Sequence, residues 1–316
     1  MNIAYTVCNR NSLANALTLG KSYLEHHPDR TFYIGWTDKF MQLTLPEGFE
    51  LIQITEIGIP DLKAMSNLYY DFEMVPASRP WFGLFLIRQF PQLKKLTFFS
   101  PTTFIYQKID GLEKKCKSML LTPNILKPLP QSSSLLDRNI LNIGMAHSGS
   151  WILKPNQQTI SFLEWWSNRT FDRAKFDLCN GMCMDQLWLN YALSWIDGAR
   201  FISNPGWHTG LHTLPHHIVN AENKSVSDNE LITADFTGLA DYHPVWSDHK
   251  KLLNTSKPFR KLLKRYYIEI SKQTGNTDLS VPGYGMPTRI SAFRENRKAV
   301  SRQLRRVTGI IDKLSL

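Results

Sequence analysis

The start of the chain alternates between apolar segments and one amphipathic segment, and this alternation restricts the possible folds more than any other feature. The segment "NIAYTVC" (Asn2–Cys8) is rich in β-branched and aromatic residues, which indicates a strand. Apolar or small residues then recur at helical spacing from Leu13 to Leu24, until "HHPD" ends the pattern. The segments "RTFYIGWT" and "FELIQI" predict the next two strands. This order is typical of a right-handed crossover between parallel strands.

The same alternation continues along the chain. Further strands are predicted in "KKLTFFS", "SMLLTPN", "IGMAHSGSWILK" and "ARFISN", and helices in "RPWFGLFLIRQF", "QQTISFLEWWSNRTF" and "DQLWLNYALSWI". No internal repeat appears, and "PLPQSSS" is too short to separate domains. The sequence therefore predicts one α/β domain with a mainly parallel sheet over about residues 1–250. A basic helical extension over residues 251–316 is predicted to follow it.

The charge of the chain restricts its partners. The 37 Lys and Arg residues outnumber 27 Asp and Glu residues, which gives a net charge of +10 and favours anionic partners. Nucleic acid is not expected, because the excess lies after residue 250 and no recognised binding module is present. Neither a signal peptide nor a spanning apolar segment is recognisable, and the four cysteines are scattered. We therefore expect a cytoplasmic protein with reduced thiols.

Several segments carry a family resemblance when they are taken in order. They include "TVCNRNSLANALTLGKSYLEHHPDRTFYIG", "LTFFSPTTFIYQ", "GSWILKPNQQTISFLEWWSNR", "GMCMDQLWLNYA" and "NPGWHTGL". In this order the chain resembles bacterial GT-A-fold glycosyltransferases that build cell-surface polysaccharides, over about Asn2 to His249. The resemblance implies a GT-A-like (Rossmann-like) fold. It also implies a glycosyltransferase that moves a sugar from a nucleotide sugar to a cell-surface glycan or a lipid-linked acceptor.

One loop departs from the resembling family. Those enzymes usually have aspartate, proline and aspartate after the central strand, where the carboxylates hold a divalent cation against the donor diphosphate. The matching residues here are Ser100, Pro101 and Thr102, and two hydroxyls cannot replace two carboxylates as ligands of Mg²⁺ or Mn²⁺. Asp235 stands where a further histidine ligand is implied. We therefore expect no metal cofactor and a metal-independent reaction.

Without a cation, other groups must neutralise the donor diphosphate. Arg79 is the first candidate and Arg10 the second, and Ser100 and Thr102 are expected to donate hydrogen bonds to phosphate or ribose. The loop after the first strand is expected to contact the base and ribose, because α/β sheets receive nucleotides there. Its candidate residues are Thr6, Cys8, Asn9 and Asn11. Solvated arginines and an ordinary capped turn are the alternatives.

The resemblance implies that an Asp-Gln pair faces the donor sugar. Asp185 is the candidate base or oxocarbenium stabiliser, and Gln186 is expected to orient hydroxyl groups. The alternative is an acidic residue that favours a helix N-terminus. His147 is a candidate hydrogen-bonding group or proton carrier, and the alternative there is a buried structural histidine.

Acceptor binding is predicted for two segments. The candidate residues are Ser148, Trp151, Trp207 and His208. A second hypothesis concerns zinc, because His208, His212 and His216 recur every four residues as ligands on a helix would. Gly206, Gly210 and Pro215 interrupt that pattern and favour a loop that lines the acceptor cleft.

The end of the chain predicts a basic amphipathic helix. Apolar residues recur three and four apart along a stripe, interrupted once by Arg297; the stripe comprises Ile290, Phe293, Val300, Leu304, Val307, Ile311 and Leu314. Such a helix over 289–316 can lie on an anionic membrane surface, which makes a peripheral membrane location a hypothesis. Packing on the catalytic domain or in a homodimer is the alternative.

Two other functions remain open at this point. The missing loop carboxylates are also expected in a catalytically inactive pseudoenzyme that acts as a scaffold or binding partner. The other hypothesis is a nucleotidyltransferase, although the first loop lacks the Gly-rich pattern with Arg or Lys that is expected of such an enzyme.

Overall fold

A mixed β-sheet lies at the centre of the molecule. The computed structural model describes residues 1–39, 44–273, 281–288, 294–311 and 314. The strands are β1 (Asn2–Cys8), β2 (Phe32–Trp36), β3 (Phe49–Gln53), β4 (Lys95–Phe99), β5 (Thr103–Ile105), β6 (Met119–Pro123), β7 (Ala146–Leu153), β8 (Phe176–Asp177), β9 (Met182–Cys183), β10 (Arg200–Phe201), β11 (Val219–Asn220), β12 (Ser225–Val226), β13 (Asn229–Glu230) and β14 (Thr233–Asp235).

Helices connect the strands. They are α1 (Leu13–His26), α2 (Leu62–Leu68), α3 (Asp71–Gln89), α4 (Asp110–Lys115), α5 (Asp137–Ile143), α6 (Gln157–Asp172), α7 (Ala192–Trp195), α8 (Lys257–Ser271) and α9 (Arg294–Ile311). Short 3₁₀ segments lie at Arg10–Ser12, Ile54–Glu56, Leu178–Asn180, Leu187–Tyr191 and Trp246–Thr255. The predicted helix "DQLWLNYALSWI" is thus a 3₁₀ segment followed by α7, and α5 was not predicted.

Seven strands form the main sheet within the described residues, in the order β10-β6-β7-β4-β1-β2-β3. Strands β1, β2, β3 and β4 run parallel to one another, and β10 runs parallel to β6. Only β7 opposes its neighbours β4 and β6. The prediction of an α/β fold with a mainly parallel sheet flanked by helices is therefore confirmed.

Burial on both faces explains the continuous apolar strands. In β1, Ile3 and Tyr5 belong to one core cluster, whereas Ala4 and Cys8 belong to another on the opposite face. Successive side chains of a strand point to opposite faces, so a strand that is covered on both sides has few polar positions. Residues of α3 and α6 belong to the first cluster, and residues of α1 belong to the second.

The chain forms two compact units, Met1–Met286 and Pro287–Leu316. In the first unit, Tyr266 of α8 stacks on Phe236 with 4.4 Å between ring centroids. The predicted domain boundary after residue 250 stays a prediction. In the second unit, α9 confirms a helix over most of the predicted amphipathic segment. Ile290 and Phe293 lie outside the described residues.

No helix among the described residues is both long enough and apolar enough to cross a membrane.

Candidate functional site

The candidate site lies at the edge of the sheet where the parallel strands end. Strand register places Phe99, the last residue of β4, beside Ser150, and Thr122 of β6 beside His147. Because β7 is antiparallel to both neighbours, its first residues lie at the same edge as the loops that follow β4 and β6. Open α/β sheets bind ligands at this edge.

The loop after β4 is held together by hydroxyl groups. Thr102 Oγ1 lies 3.0 Å from Ser100 Oγ and donates to Asp235 Oδ1 at 2.8 Å. Thr237 Oγ1 donates to the same carboxylate oxygen at 2.9 Å. All four residues are buried. Burial raises the pKa of Asp235 to about 6, although the hydrogen bonds from Thr102 and Thr237 oppose the shift.

This loop does not fit the divalent cation that the resemblance implies. Ser100 and Thr102 bond to one another, and Asp235 supplies the one carboxylate of the hydroxyl cluster. Mg²⁺ and Mn²⁺ are held by several anionic or carbonyl oxygens, so this ligand set is too poor in charge. Hydrogen bonds from Ser100 and Thr102 to the phosphate or ribose of a nucleotide sugar stay a prediction, since both hydroxyls have partners within the protein here.

A different group of ligand-type atoms lies nearby. Atoms of His147, His208 and Asp235 lie within 4.8 Å of one another, and all three residues are buried. However, His147 Nδ1 accepts a hydrogen bond from the backbone N–H of Gly149 at 2.9 Å. This hydrogen bond occupies the lone pair of Nδ1, whereas His147 Nε2 has no hydrogen-bond partner among the described residues.

The zinc hypothesis requires His208, His212 and His216 on one helix. The segment that contains them has no helix in the structure, and the loop expected from Gly206, Gly210 and Pro215 is present instead. Within the described chain, the group of candidate metal ligands includes only His208 of the three. The geometry therefore does not support a zinc site at this spacing.

Arg79, Asp185 and Ser148 meet at the centre of the site. Helix α3 carries Arg79, whose Nη1 lies 3.2 Å from Asp185 Oδ2 and donates to Ser148 Oγ at 3.2 Å. The guanidinium also lies over the Phe98 ring, 5.1 Å from its centroid. Arg79 Nε is buried and has no hydrogen-bond partner among the described residues. The side chain therefore has a donor available for a further acceptor.

The backbone around Asp185 is tightly held. Met184 has a φ of 50°, which is rare for a residue with a side chain, and Asp185 O accepts a hydrogen bond from Trp166 Nε1 at 3.0 Å. Trp166 belongs to the "FLEWW" segment of α6. Burial raises the pKa of the Asp185 carboxyl, and the Arg79 charge opposes this shift. Asp185 lies two residues before the 3₁₀ segment Leu187–Tyr191, where the sequence predicted the start of a helix.

Gln186 connects elements within the fold. Its Nε2 donates to Ile143 O at 2.8 Å, and its Oε1 accepts from the N–H of Ser148 at 3.2 Å. Both ends of the amide are therefore bonded to backbone groups of α5 and β7. A role in orienting sugar hydroxyls stays a prediction, and the observed contacts are structural.

Three histidines pack together beside Ser148. The ring of His147 lies 4.4 Å from that of His212 and 4.9 Å from that of His208, measured between centroids. Burial lowers the pKa of all three, that of His208 to about 3. They are therefore neutral near pH 7. His208 also has a φ of 52°, so its backbone is strained.

The first loop is arranged around Asp38. Arg10 donates to both carboxylate oxygens of Asp38, at 2.6 and 2.9 Å, so it is part of an ion pair rather than a solvated cation. Asn9 Oδ1 accepts from the N–H of Asn11 at 3.1 Å, which caps the 3₁₀ segment. Thr6 Oγ1 donates to Phe99 O at 2.7 Å. Cys8 is buried, and burial raises its thiol pKa.

The predicted acceptor residues divide into two sets. Ser148 and His208 lie in the site described above. Trp151 is instead a core residue: it is fully buried, with its ring near those of Tyr5 and Phe98. This position corrects its predicted contact with an acceptor, because no face of the ring is open. Trp207 donates from Nε1 to Thr122 Oγ1 at 2.8 Å and lines a cavity.

Sequence reasoning missed residues that complete these groups. Asp38, Thr237 and Trp166 were not predicted, although Asp38 follows a strand, where an acidic residue is a usable signal. The structure brings Arg79, which the sequence predicted as a diphosphate ligand, into contact with Asp185, which it predicted as the catalytic carboxylate.

Comparison with solved structures finds glycosyltransferases. One is a galactosyltransferase, LgtC, in complex with donor and acceptor sugar analogues, at 12% identity and a TM-score of 0.45, covering 81% of this chain and 96% of that one. Another is a glycosyltransferase involved in the glycosylation of the major capsid of PBCV-1, at 8% identity and a TM-score of 0.44, covering 80% and 99%. No protein-family model and no curated protein sequence matches the chain.

Proposed function

We propose that this protein is a hexosyltransferase-type enzyme that moves a sugar from a nucleotide sugar to a cell-surface glycan or a lipid-linked acceptor. In this proposal no resident divalent cation takes part. The observation that carries it is the ion pair of Arg79 with the buried Asp185 at the carboxyl edge of the sheet. The pair combines a cation with a spare donor and a carboxylate with a raised pKa. Both properties suit the transfer of a sugar from a diphosphate.

The proposed chemistry follows from these two groups. The acceptor hydroxyl oxygen forms a bond to the anomeric carbon, while the bond from that carbon to the diphosphate oxygen breaks. In an inverting transfer, Asp185 takes the hydroxyl proton. In a retaining transfer, Asp185 stabilises the oxocarbenium charge, and an oxygen of the departing diphosphate takes the hydroxyl proton. Arg79 balances the charge on the departing nucleoside diphosphate by donating hydrogen bonds to its oxygens. Ser148, which accepts from Arg79, orients the guanidinium.

The test is sugar transfer from a panel of nucleotide sugars with EDTA present. We expect transfer to persist with the chelator and to fall at least about a hundredfold in Asp185→Asn, because a positioned acid or base contributes this much. Asp137→Asn is the matched control, since Asp137 is exposed and lies outside the site. Activity that disappears with EDTA and returns with Mn²⁺ would contradict the metal-independent part.

A pseudoenzyme that acts as a scaffold is the second candidate. It is favoured by the internal pairing of the site, in which Arg79 bonds to Asp185 and Thr102 bonds to Asp235. A thermal-shift screen separates the two candidates, because a ligand that binds the folded state raises the melting temperature. Stabilisation by a nucleotide or nucleotide sugar supports the enzyme. No stabilisation and no transfer with any donor supports the scaffold.

We also propose that α9 binds the anionic surface of a membrane, with the enzyme on its cytoplasmic face. From residue 289 onward, eight residues are Lys or Arg and two are acidic. Val300, Leu304, Val307 and Ile311 form an exposed apolar stripe on this helix. A basic helix with an apolar stripe combines the two attractions that bind a peripheral helix to anionic lipids. A homodimer contact through the stripe is the alternative.

A further inference from the structure

A cavity of about 260 Å³ lies beyond the carboxyl ends of β6 and β10. These two strands are on the other side of β7 and β4 from β1 and β2 in the strand order of the sheet. Residues that follow these two strands line it, together with the turn from His212 to His217. A water molecule occupies about 30 Å³ in the liquid, so the cavity has room for several waters or for a small ligand. The lining of the cavity does not include Arg79, Asp185 or Ser148.

Asn124 indicates one property of the ligand. Both of its amide hydrogens are used, because Nδ2 donates to Gly144 O at 2.7 Å and to Ala146 O at 3.2 Å. These bonds determine which end of the amide is the oxygen. Oδ1 is buried and has no partner among the described residues, and Asn124 itself has no exposed surface. A buried acceptor of this kind requires a donor such as a hydroxyl group.

The charge of the lining indicates a second property. Lys127 and three imidazoles, those of His212, His216 and His217, line the cavity, and none of the described lining residues is acidic. Lys127 lies close enough to contribute to the lowered pKa of His216 and of His217, after burial as the larger cause. A cationic side chain and several hydrogen-bond donors, with no carboxylate in the lining, favour the binding of an anion.

Two further observations limit the kind of ligand. Trp207, Ile202 and Pro205 supply an apolar wall, against which the carbon face of a sugar ring can pack. His212 also lines the cavity and belongs to the histidine group, where its ring lies 4.4 Å from that of His147. The cavity is therefore linked to the site of Asp185 and Ser148 through His212 and His147, the residue before Ser148.

We propose that this cavity binds an anionic sugar unit of the acceptor, a hydroxylated ring that bears one carboxylate or phosphate group. The assignment to the acceptor rests on the proposed transferase function. In this assignment a sugar hydroxyl donates to Asn124 Oδ1, and the oxyanion faces Lys127 and the imidazoles of the turn. The binding of the anionic ring itself does not depend on any reaction.

The test is calorimetric titration of the full chain with four probes: D-glucuronate, D-glucose 6-phosphate, D-glucose and inorganic phosphate. We expect one or both anionic sugars to bind roughly tenfold more tightly than glucose, as one charge-assisted contact provides. They should also bind more tightly than phosphate alone. The two anionic probes distinguish a carboxylate from a phosphate ligand.

Three variants locate the binding. Lys127→Met should remove the preference for the anionic sugar, and Ser203→Trp should abolish binding by filling the mouth from an exposed position. Lys117→Met, an exposed lysine outside the cavity, is the matched control and should bind as the wild type does. Equal binding of glucose and the anionic sugars, or binding that survives Ser203→Trp, would overturn the proposal.

A separate titration with nucleotide sugars keeps the two proposals apart. Binding of glucuronate or of glucose 6-phosphate without any nucleotide binding would support the cavity and contradict the transferase. Transfer from a nucleotide sugar, without binding of either anionic sugar in the cavity, would support the transferase and contradict the cavity proposal.

Discussion

Arg79 Nη1 lies 3.2 Å from Oδ2 of Asp185, and the carboxylate has no exposed surface. The two residues are 106 positions apart in the sequence, so the contact forms only in the folded chain, where Arg79 of α3 also donates to Ser148 of β7. Taking two charges out of water is unfavourable, and this cost is offset only while the partners stay together.

The stability of the protein should depend on the two residues as a pair. We expect Arg79→Met to lower the free energy of unfolding by about 3 to 5 kcal/mol, because it leaves a buried carboxylate without its cation. Asp185→Asn in the same chain should recover part of this loss. Urea unfolding of the wild type, both single variants and the double variant measures the coupling energy. Additive losses would show that the two charges do not interact.

Gln186 should affect stability through its two backbone contacts. We expect Gln186→Leu to cost about 2 to 4 kcal/mol, because Ser148 N–H and Ile143 O both lose a partner in a buried place. Gln131→Leu, at an exposed position, is the control and should change the free energy of unfolding little. An unchanged unfolding midpoint in Gln186→Leu, with loss of transfer, would instead favour direct contact with the sugar.

Asp235 should make stability fall as the pH rises. Its pKa is raised from 3.8 to about 6 by burial, so the folded state binds the proton more tightly than the unfolded chain does. The stabilising contribution is therefore complete below about pH 4 and is lost as the pH rises through about 6. Relative to Asp235→Asn, the unfolding free energy of the wild type should fall by about 3 kcal/mol over this range. Urea unfolding at a series of pH values checks this; a constant difference would refute it.

Membrane binding should depend on the apolar stripe of α9. Leu304→Glu with Val307→Glu places two charges on the stripe, so we expect co-sedimentation with vesicles of phosphatidylglycerol and phosphatidylcholine to fall at least about tenfold. The matched control is Thr308→Glu, which adds one charge outside the stripe. Wild-type protein that binds neutral vesicles equally well would contradict the electrostatic part. A change of oligomeric state in the double variant would favour the homodimer contact.

Local patterns predicted most of the regular structure. The boundaries of β1 and α1 match the predicted segments, because a strand buried on both faces and an amphipathic helix each leave a periodic pattern in the sequence. The absence of carboxylates at Ser100 and Thr102 was also readable, since it depends on residue type alone. Helix α5 and the 3₁₀ segment after Asp185 were not, because short segments leave too little pattern.

The sequence by itself determined the order of strands and helices, the polarity of each loop and the types of residue available for chemistry. The tertiary structure decided which of these residues meet: Arg10 with Asp38, Thr102 with Asp235, and Arg79 with Asp185. It also decided that Trp151 lies in the core while Trp207 lines a cavity. The physical reason is that local patterns report burial and backbone geometry. The pairing of charges and hydroxyls depends instead on contacts between distant segments, which form only when the whole sheet is assembled.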